Sequence, residues 1–140
     1  MTGPSSSPNP SLAAFHPLVR SWFEGRFATP TDIQERSWPL IAGGRHVLLT
    51  APTGSGKTLT AFLWPLNQLL TGAWEPGQVR ALYVSPLKAL NYDIEHNLSR
   101  PLAELREGFV AAGLEPPEVR VATRSGDTAP GERQRMARRP

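Results

Sequence analysis

One stretch, Thr50-Ala51-Pro52-Thr53-Gly54-Ser55-Gly56-Lys57-Thr58, constrains this chain more than any other. An apolar run, Val47-Leu48-Leu49, leads into it, and an amphipathic run, Leu59-Thr60-Ala61-Phe62-Leu63-Trp64, leads out. Strand, glycine-rich turn and helix in that order are the context of a phosphate-binding P-loop. Glycine lets backbone pass close to phosphate oxygens with no side chain in the way. N–H groups of the turn and the first helical turn then face the anion, where the helix dipole also favours it. Thr53, Gly54, Ser55, Gly56, Lys57 and Thr58 are therefore the candidate cradle for a nucleotide's phosphates. Lys57 brings a mobile cation to the β/γ-phosphates, and the Thr58 hydroxyl is placed to ligate Mg²⁺. Ala51 stands where the pattern has its first glycine, which marks a subclass. The alternative is a glycine-rich turn that only caps a helix.

The 140 residues correspond to one domain of ordinary size. No apolar run approaches the roughly 18 residues that cross a bilayer, so no membrane partner is expected. The first eleven residues have neither a basic start nor an apolar heart, so they do not read as a signal peptide. Cysteine is absent, which excludes disulfides and thiolate metal sites and suits a cytoplasmic protein. His16, His46 and His96 are isolated and have no ligand spacing. A formal charge of +3 and a pI near 10.0 favour a nucleic-acid partner. Four arginines, Arg133, Arg135, Arg138 and Arg139, crowd the last eight residues; a solvated basic helix face accounts for them equally well. Thirteen of the fifteen basic residues are arginine, and lysine is confined to Lys57 and Lys88. A compact ammonium and a planar guanidinium fork do different chemistry.

Along the chain, residues 1–10 are rich in proline and serine and are expected to be disordered. Residues 11–140 are then read as one α/β unit. Apolar residues recur at helical spacing from Leu12 to Phe23, and Pro17 predicts a helix start near His16. Thr31 reads as the N-cap of a second helix that Gly43-Gly44 closes. Strands are expected over 47–50, 80–85 and 119–122, and helices over 57–70, to about Leu98, 101–112 and from Gly131. Strands alternating with helices predict a parallel, doubly wound sheet with ligands at the strands' carboxyl ends. The P-loop, residues 85–91 and residues 124–128 stand at such ends.

With these pieces in place the chain resembles a superfamily 2 DEAD/DEAH-box-type helicase, specifically the amino-terminal part of the large helicase-related (Lhr) family. Phe15-His16-Pro17, Trp22-Phe23, Phe27…Pro30-Thr31…Gln34, the P-loop, Ala61-Phe62-Leu63-Trp64, Tyr83-Val84-Ser85-Pro86-Leu87-Lys88-Ala89-Leu90-Asn91 and Gly126-Asp127-Thr128 carry the resemblance. It implies part of a RecA-like P-loop NTPase domain that uses ATP and Mg²⁺, with Lys57 and Thr58 serving catalysis. Phe27, Thr31 and Gln34 would attend the base. An amide at Gln34 can pair with both N6 and N7 of adenine, while Thr31-x-x-Gln34 also fits a capping box. Ser85, Pro86, Leu87, Lys88 and Asn91 would grip a phosphodiester backbone without reading sequence. Arg124, Gly126, Asp127 and Thr128 would form the next strand-contacting loop, for which an ordinary Ser-Gly-Asp turn is the alternative. Ser125 stands where the family usually has threonine and keeps the hydroxyl. The implied partner is single-stranded DNA, with an RNA–DNA hybrid as the variant; oligomeric state is left open.

The chain reaches Pro140 without an Asp-Glu-x-His carboxylate pair and without the second RecA-like domain. The expectation is thus part of a first motor domain that alone at most binds nucleotide. Two other classes stay in view. One is a small-molecule kinase, which also uses a P-loop but usually begins near it. The other is a non-catalytic nucleotide-binding remnant.

Overall fold

The computed structural model describes residues 9–86 and 94–139. These fall in two compact units, Met1–Trp64 and Pro65–Pro140. Their regular elements are a 3-10 turn at Pro10–Leu12 and helices α1 (Pro17–Phe27), α2 (Asp32–Ala42), α3 (Lys57–Leu70), α4 (Arg100–Ala111) and α5 (Pro130–Arg138). A π-helical stretch, Glu95–Ser99, runs directly into α4.

Order in the first unit begins earlier than the sequence predicts. The Asn9 carboxamide oxygen accepts the Ser11 N–H at 3.0 Å, and its nitrogen donates to Glu35 Oε1 at 2.6 Å. That cap turns Leu12 into the core, where it is fully buried and the 3-10 turn packs on α2. The next cap is His16, whose Nδ1 accepts the Leu18 N–H at 3.2 Å ahead of Pro17 at the first helical position. The helix start is the one proline predicts; the cap is a role the sequence reading did not give this histidine.

The apolar spacing of α1 delivers Val19 and Phe23 inward. Phe15 and Phe23 meet the buried Trp38 of α2 edge-on, each with ring centroids 5.2 Å apart. Phe15 also meets Trp64 at 5.4 Å. Edge-to-face pairs of this kind add about 0.5–1.5 kcal/mol each beyond the area they bury. Helix α1 ends abruptly at Ala28, which has φ 61° and ψ −62°, and Thr29 N–H donates to the Phe27 carbonyl at 2.7 Å. This is a γ-turn, a strained conformation for a residue with a Cβ. Helix α2 closes on Gly44 at φ 72°, with Arg45 N–H returning to the Leu40 carbonyl at 3.0 Å. The positive φ is the reason a glycine is needed there.

In the second unit, Leu66, Leu70, Leu105 and Phe109 are buried. Arg106 of α4 donates to the carbonyls of Pro116 and Pro117 at 3.4 and 3.0 Å, holding the segment that follows the helix.

The expected strands are not formed: the described residues contain no strand, and 47–50, 80–85 and 119–122 run as irregular chain. A strand exists only through a neighbour's backbone groups, and apolar content alone does not supply one. In consequence Leu48, Leu82 and Val84 are 88, 82 and 82% exposed.

Candidate functional site

The P-loop takes the path its glycines permit. Gly54 and Gly56 have φ 82° and 81°, the left-handed region that a side chain disfavours. Ser55 N–H closes a turn on the Pro52 carbonyl at 3.3 Å. Helix α3 begins at Lys57, so the N–H groups of Lys57 and Thr58 belong to a first turn that no intrahelical carbonyl reaches. Lys57 Nζ donates to the carbonyls of Ala51 and, at 2.9 Å, Pro52, which lays the ammonium across its own loop. Thr53 is exposed, and Thr58 is half-buried.

Two elements brace this loop. From within α3, the buried Thr60 donates its hydroxyl to the Gly56 carbonyl at 2.8 Å and accepts Trp38 Nε1 on its own carbonyl at 3.1 Å. From α2, Thr31 Oγ1 donates to the Ser55 carbonyl at 3.0 Å. Gln34 Nε2 sits where a Cβ on Gly56 would meet it at 2.7 Å. Gln34 Oε1 meanwhile accepts the Thr31 N–H at 3.0 Å, within a capping box at the start of α2. The two readings of Gln34 are therefore compatible in space: a residue that caps its helix also lies against the loop, 3% exposed.

These residues fit a triphosphate. Gly54 has open space where a Cβ would project, and the Ser55 hydroxyl is buried with no hydrogen-bond partner in the structure. A buried hydroxyl in that condition costs about 1–3 kcal/mol unless something satisfies it. Phe27 is more committed than a free platform would be. It is 44% exposed, its ring lies 5.1 Å from Phe23 and 6.0 Å from Trp22, and the Arg26 guanidinium stands 5.7 Å over it.

The second group of candidates lies in the other unit and is described separately. Ser85 is half-buried and Pro86 exposed; Leu87, Lys88 and Asn91 lie outside the described residues. In the loop 124–128, Ser125 N–H donates to Thr128 Oγ1 at 2.8 Å, and Thr128 N–H returns to the Ser125 carbonyl at 3.3 Å. Asp127 N–H donates to Ser125 Oγ at 3.2 Å. The hydroxyl at position 125 thus builds the turn. Arg124, Gly126 and Asp127 are exposed. The residue that sequence reasoning missed is Arg133, whose guanidinium bonds three carbonyls of this loop. Its i+5 to i+8 distance from the loop was the available signal.

The chain is similar to known proteins. The chain matches the DEAD/DEAH box helicase family over residues 31–135. It is 47% identical over 130 residues to the Lhr helicase/probable uracil glycosylase of Mycolicibacterium smegmatis, covering 92% of this chain and 9% of that protein. It is 43% identical over 125 residues to the ATP-dependent helicase Lhr-Core of Methanocaldococcus jannaschii, covering 87% of this chain and 15% of the relative. The solved structure of the Mycobacterium smegmatis helicase Lhr bound to ssDNA and AMP-PNP aligns with a TM-score of 0.83 at 45% identity. That alignment covers 93% of this chain and 16% of the other. The chain thus spans 9 to 16% of the length of these relatives, and its fold is RecA-like. It belongs to the DEAD/DEAH box helicase family.

Proposed function

We propose that this chain is part of the ATP-binding lobe of a helicase that couples ATP hydrolysis to movement along single-stranded DNA. The observation that carries the reading is the bracing of the P-loop by α2, through Thr31 on Ser55 and Gln34 against Gly56. A corner some twenty residues upstream of the loop, bearing an amide that can pair with adenine N6 and N7, supports base recognition beside a triphosphate. A kinase whose chain begins near its P-loop has no such corner.

In this reading Thr53 to Thr58 hold the phosphates by backbone N–H groups, Lys57 leaves its two carbonyls for the β/γ-phosphates, and Gln34 and Phe27 attend the base. Mg²⁺ would be held by the Thr58 hydroxyl and would supply neutralisation of the triphosphate's negative charge. Ser85, Pro86, Leu87, Lys88 and Asn91, and the loop of Arg124, Gly126, Asp127 and Thr128, bind the nucleic-acid backbone. Segments 47–50, 80–85 and 119–122 pair as parallel strands of the RecA-like sheet. Their apolar residues and the structural likeness to the Mycobacterium smegmatis helicase support that arrangement.

The test is Lys57→Ala in the whole helicase polypeptide, with ATP turnover measured against increasing single-stranded DNA and, separately, an RNA–DNA hybrid. DNA-stimulated turnover is expected in the parent and a drop of at least a hundredfold in the variant. Turnover at the parent rate in the variant removes the role given to Lys57.

A further inference from the structure

The four arginines near the end of the chain look alike in sequence, but the structure separates one of them. Arg133 Nε donates to the Thr128 carbonyl at 2.8 Å. One terminal nitrogen donates to the Gly126 carbonyl at 2.7 Å and the Ser125 carbonyl at 3.3 Å. A single guanidinium therefore holds three of the four carbonyls from 125 to 128. These acceptors are neutral, so the positive charge remains uncompensated by them. Arg135, Arg138 and Arg139 instead line an open cavity of about 540 Å³ with Glu132 and Met136.

The consequence follows from peptide geometry. In a trans peptide the C=O and N–H point in opposite directions, and no cis peptide occurs among the described residues. With the Ser125 carbonyl turned onto Arg133, the Gly126 N–H faces the other way. Gly126 is exposed, and a Cβ there would meet nothing within 4 Å, so that face is open. The loop's negative dipole ends are gathered on the guanidinium, and a backbone donor is offered on the opposite side. An outward backbone N–H of this kind can donate to a phosphate oxygen. Carbonyls swung outward would repel the same phosphate.

We infer that Arg133 is a positioning residue for nucleic-acid binding: by collecting the carbonyls of Ser125, Gly126 and Thr128 it presents the Gly126 N–H to a phosphodiester. This rests on the functional reading above. Lysine cannot replace it, because an ammonium lacks the planar fork that spans these acceptors. Arg133 acts through the loop and does not itself neutralise a phosphate.

The experiment uses the whole helicase polypeptide and a fluorescein-labelled oligothymidylate, with affinity measured over a range of salt. Arg133→Ala and Arg133→Lys are compared with Arg135→Ala, and the KM for ATP is followed in each. Both Arg133 variants are expected to bind about tenfold more weakly, with the slope of log affinity against log salt unchanged and the ATP KM retained. A direct phosphate contact would instead lower that slope by about 0.7 and be largely restored by lysine. Arg133→Lys at parental affinity, or a reduced slope, overturns the proposal. Loss of ATP binding alongside DNA binding overturns it too, since the effect is then general unfolding. If the parent binds no oligothymidylate, the functional reading falls, and this inference with it.

Discussion

Gly54 and Gly56 share a backbone conformation but not a neighbourhood. Both sit near φ 81°, so alanine at either costs about 1–2 kcal/mol in backbone strain. At Gly54 a methyl group enters open space, whereas at Gly56 it meets Gln34 Nε2 at 2.7 Å. The amide must then swing away, loosening the capping bond to Thr31 N–H and adding about 1 kcal/mol. Chemical denaturation should show Gly56→Ala to be less stable than Gly54→Ala by about that amount. Adding Gln34→Ala should shrink the gap; an equal cost at both glycines would show that the amide is not in contact. The pattern Gly-x-Gly-Lys-Thr foretold the loop's shape, because positive φ is a local property of glycine. That Gln34 touches Gly56 was not legible, since the contact depends on how two helices meet. Likewise the short distance of Arg133 from the loop was only a weak signal, and what separates it from Arg135 is which face of α5 turns towards 125–128.

Helices were well foretold because their signals lie within a few residues of their ends. Pro17 and Thr31 open α1 and α2 where predicted, and Gly44 closes α2. Strands carry no such local signal, because a strand's bonds are made to chain far away in sequence. What the sequence could not show either is how α2 and α3 are joined. Thr60 does this by accepting Trp38 Nε1 on its carbonyl, while its hydroxyl donates to the Gly56 carbonyl at the end of the P-loop. Thr60→Val keeps the shape and deletes the hydroxyl donor. A loss of about 1 kcal/mol in urea denaturation is expected, with weakened nucleotide affinity because the Gly56 carbonyl loses a partner. Unchanged stability would mean that the Thr60 backbone N–H, 2.9 Å from the same oxygen, suffices alone.

At the scale of the molecule, Leu48, Leu82, Tyr83 and Val84 face solvent, while Val47 and Leu49 are half-buried. Covering a Leu or Val side chain is worth about 1.5–3 kcal/mol, so a paired sheet has a large incentive. Leu82→Asp separates the two conditions, since a residue that stays 82% exposed tolerates aspartate almost without cost. In the whole helicase polypeptide the proposed sheet predicts a loss of at least 2 kcal/mol, read from the unfolding midpoint. A midpoint within error of the parent would place residues 80–85 outside any sheet. The bias towards arginine also acquires a meaning at this scale. Arg80, Arg106 and Arg133 each bond neutral backbone carbonyls, so they organise loops while leaving their charge unspent. The formal excess of +3 is then partly carried by residues that are architectural.

The reversal at Ala28 has one more effect. A left-handed alanine is a local debt of about 1–3 kcal/mol, set against the helices on either side. Fraying at that corner therefore recovers energy that fraying elsewhere does not. Phe27 stands directly before it, so the corner that carries this strain also sets where the ring packed on Phe23 and Trp22 is held.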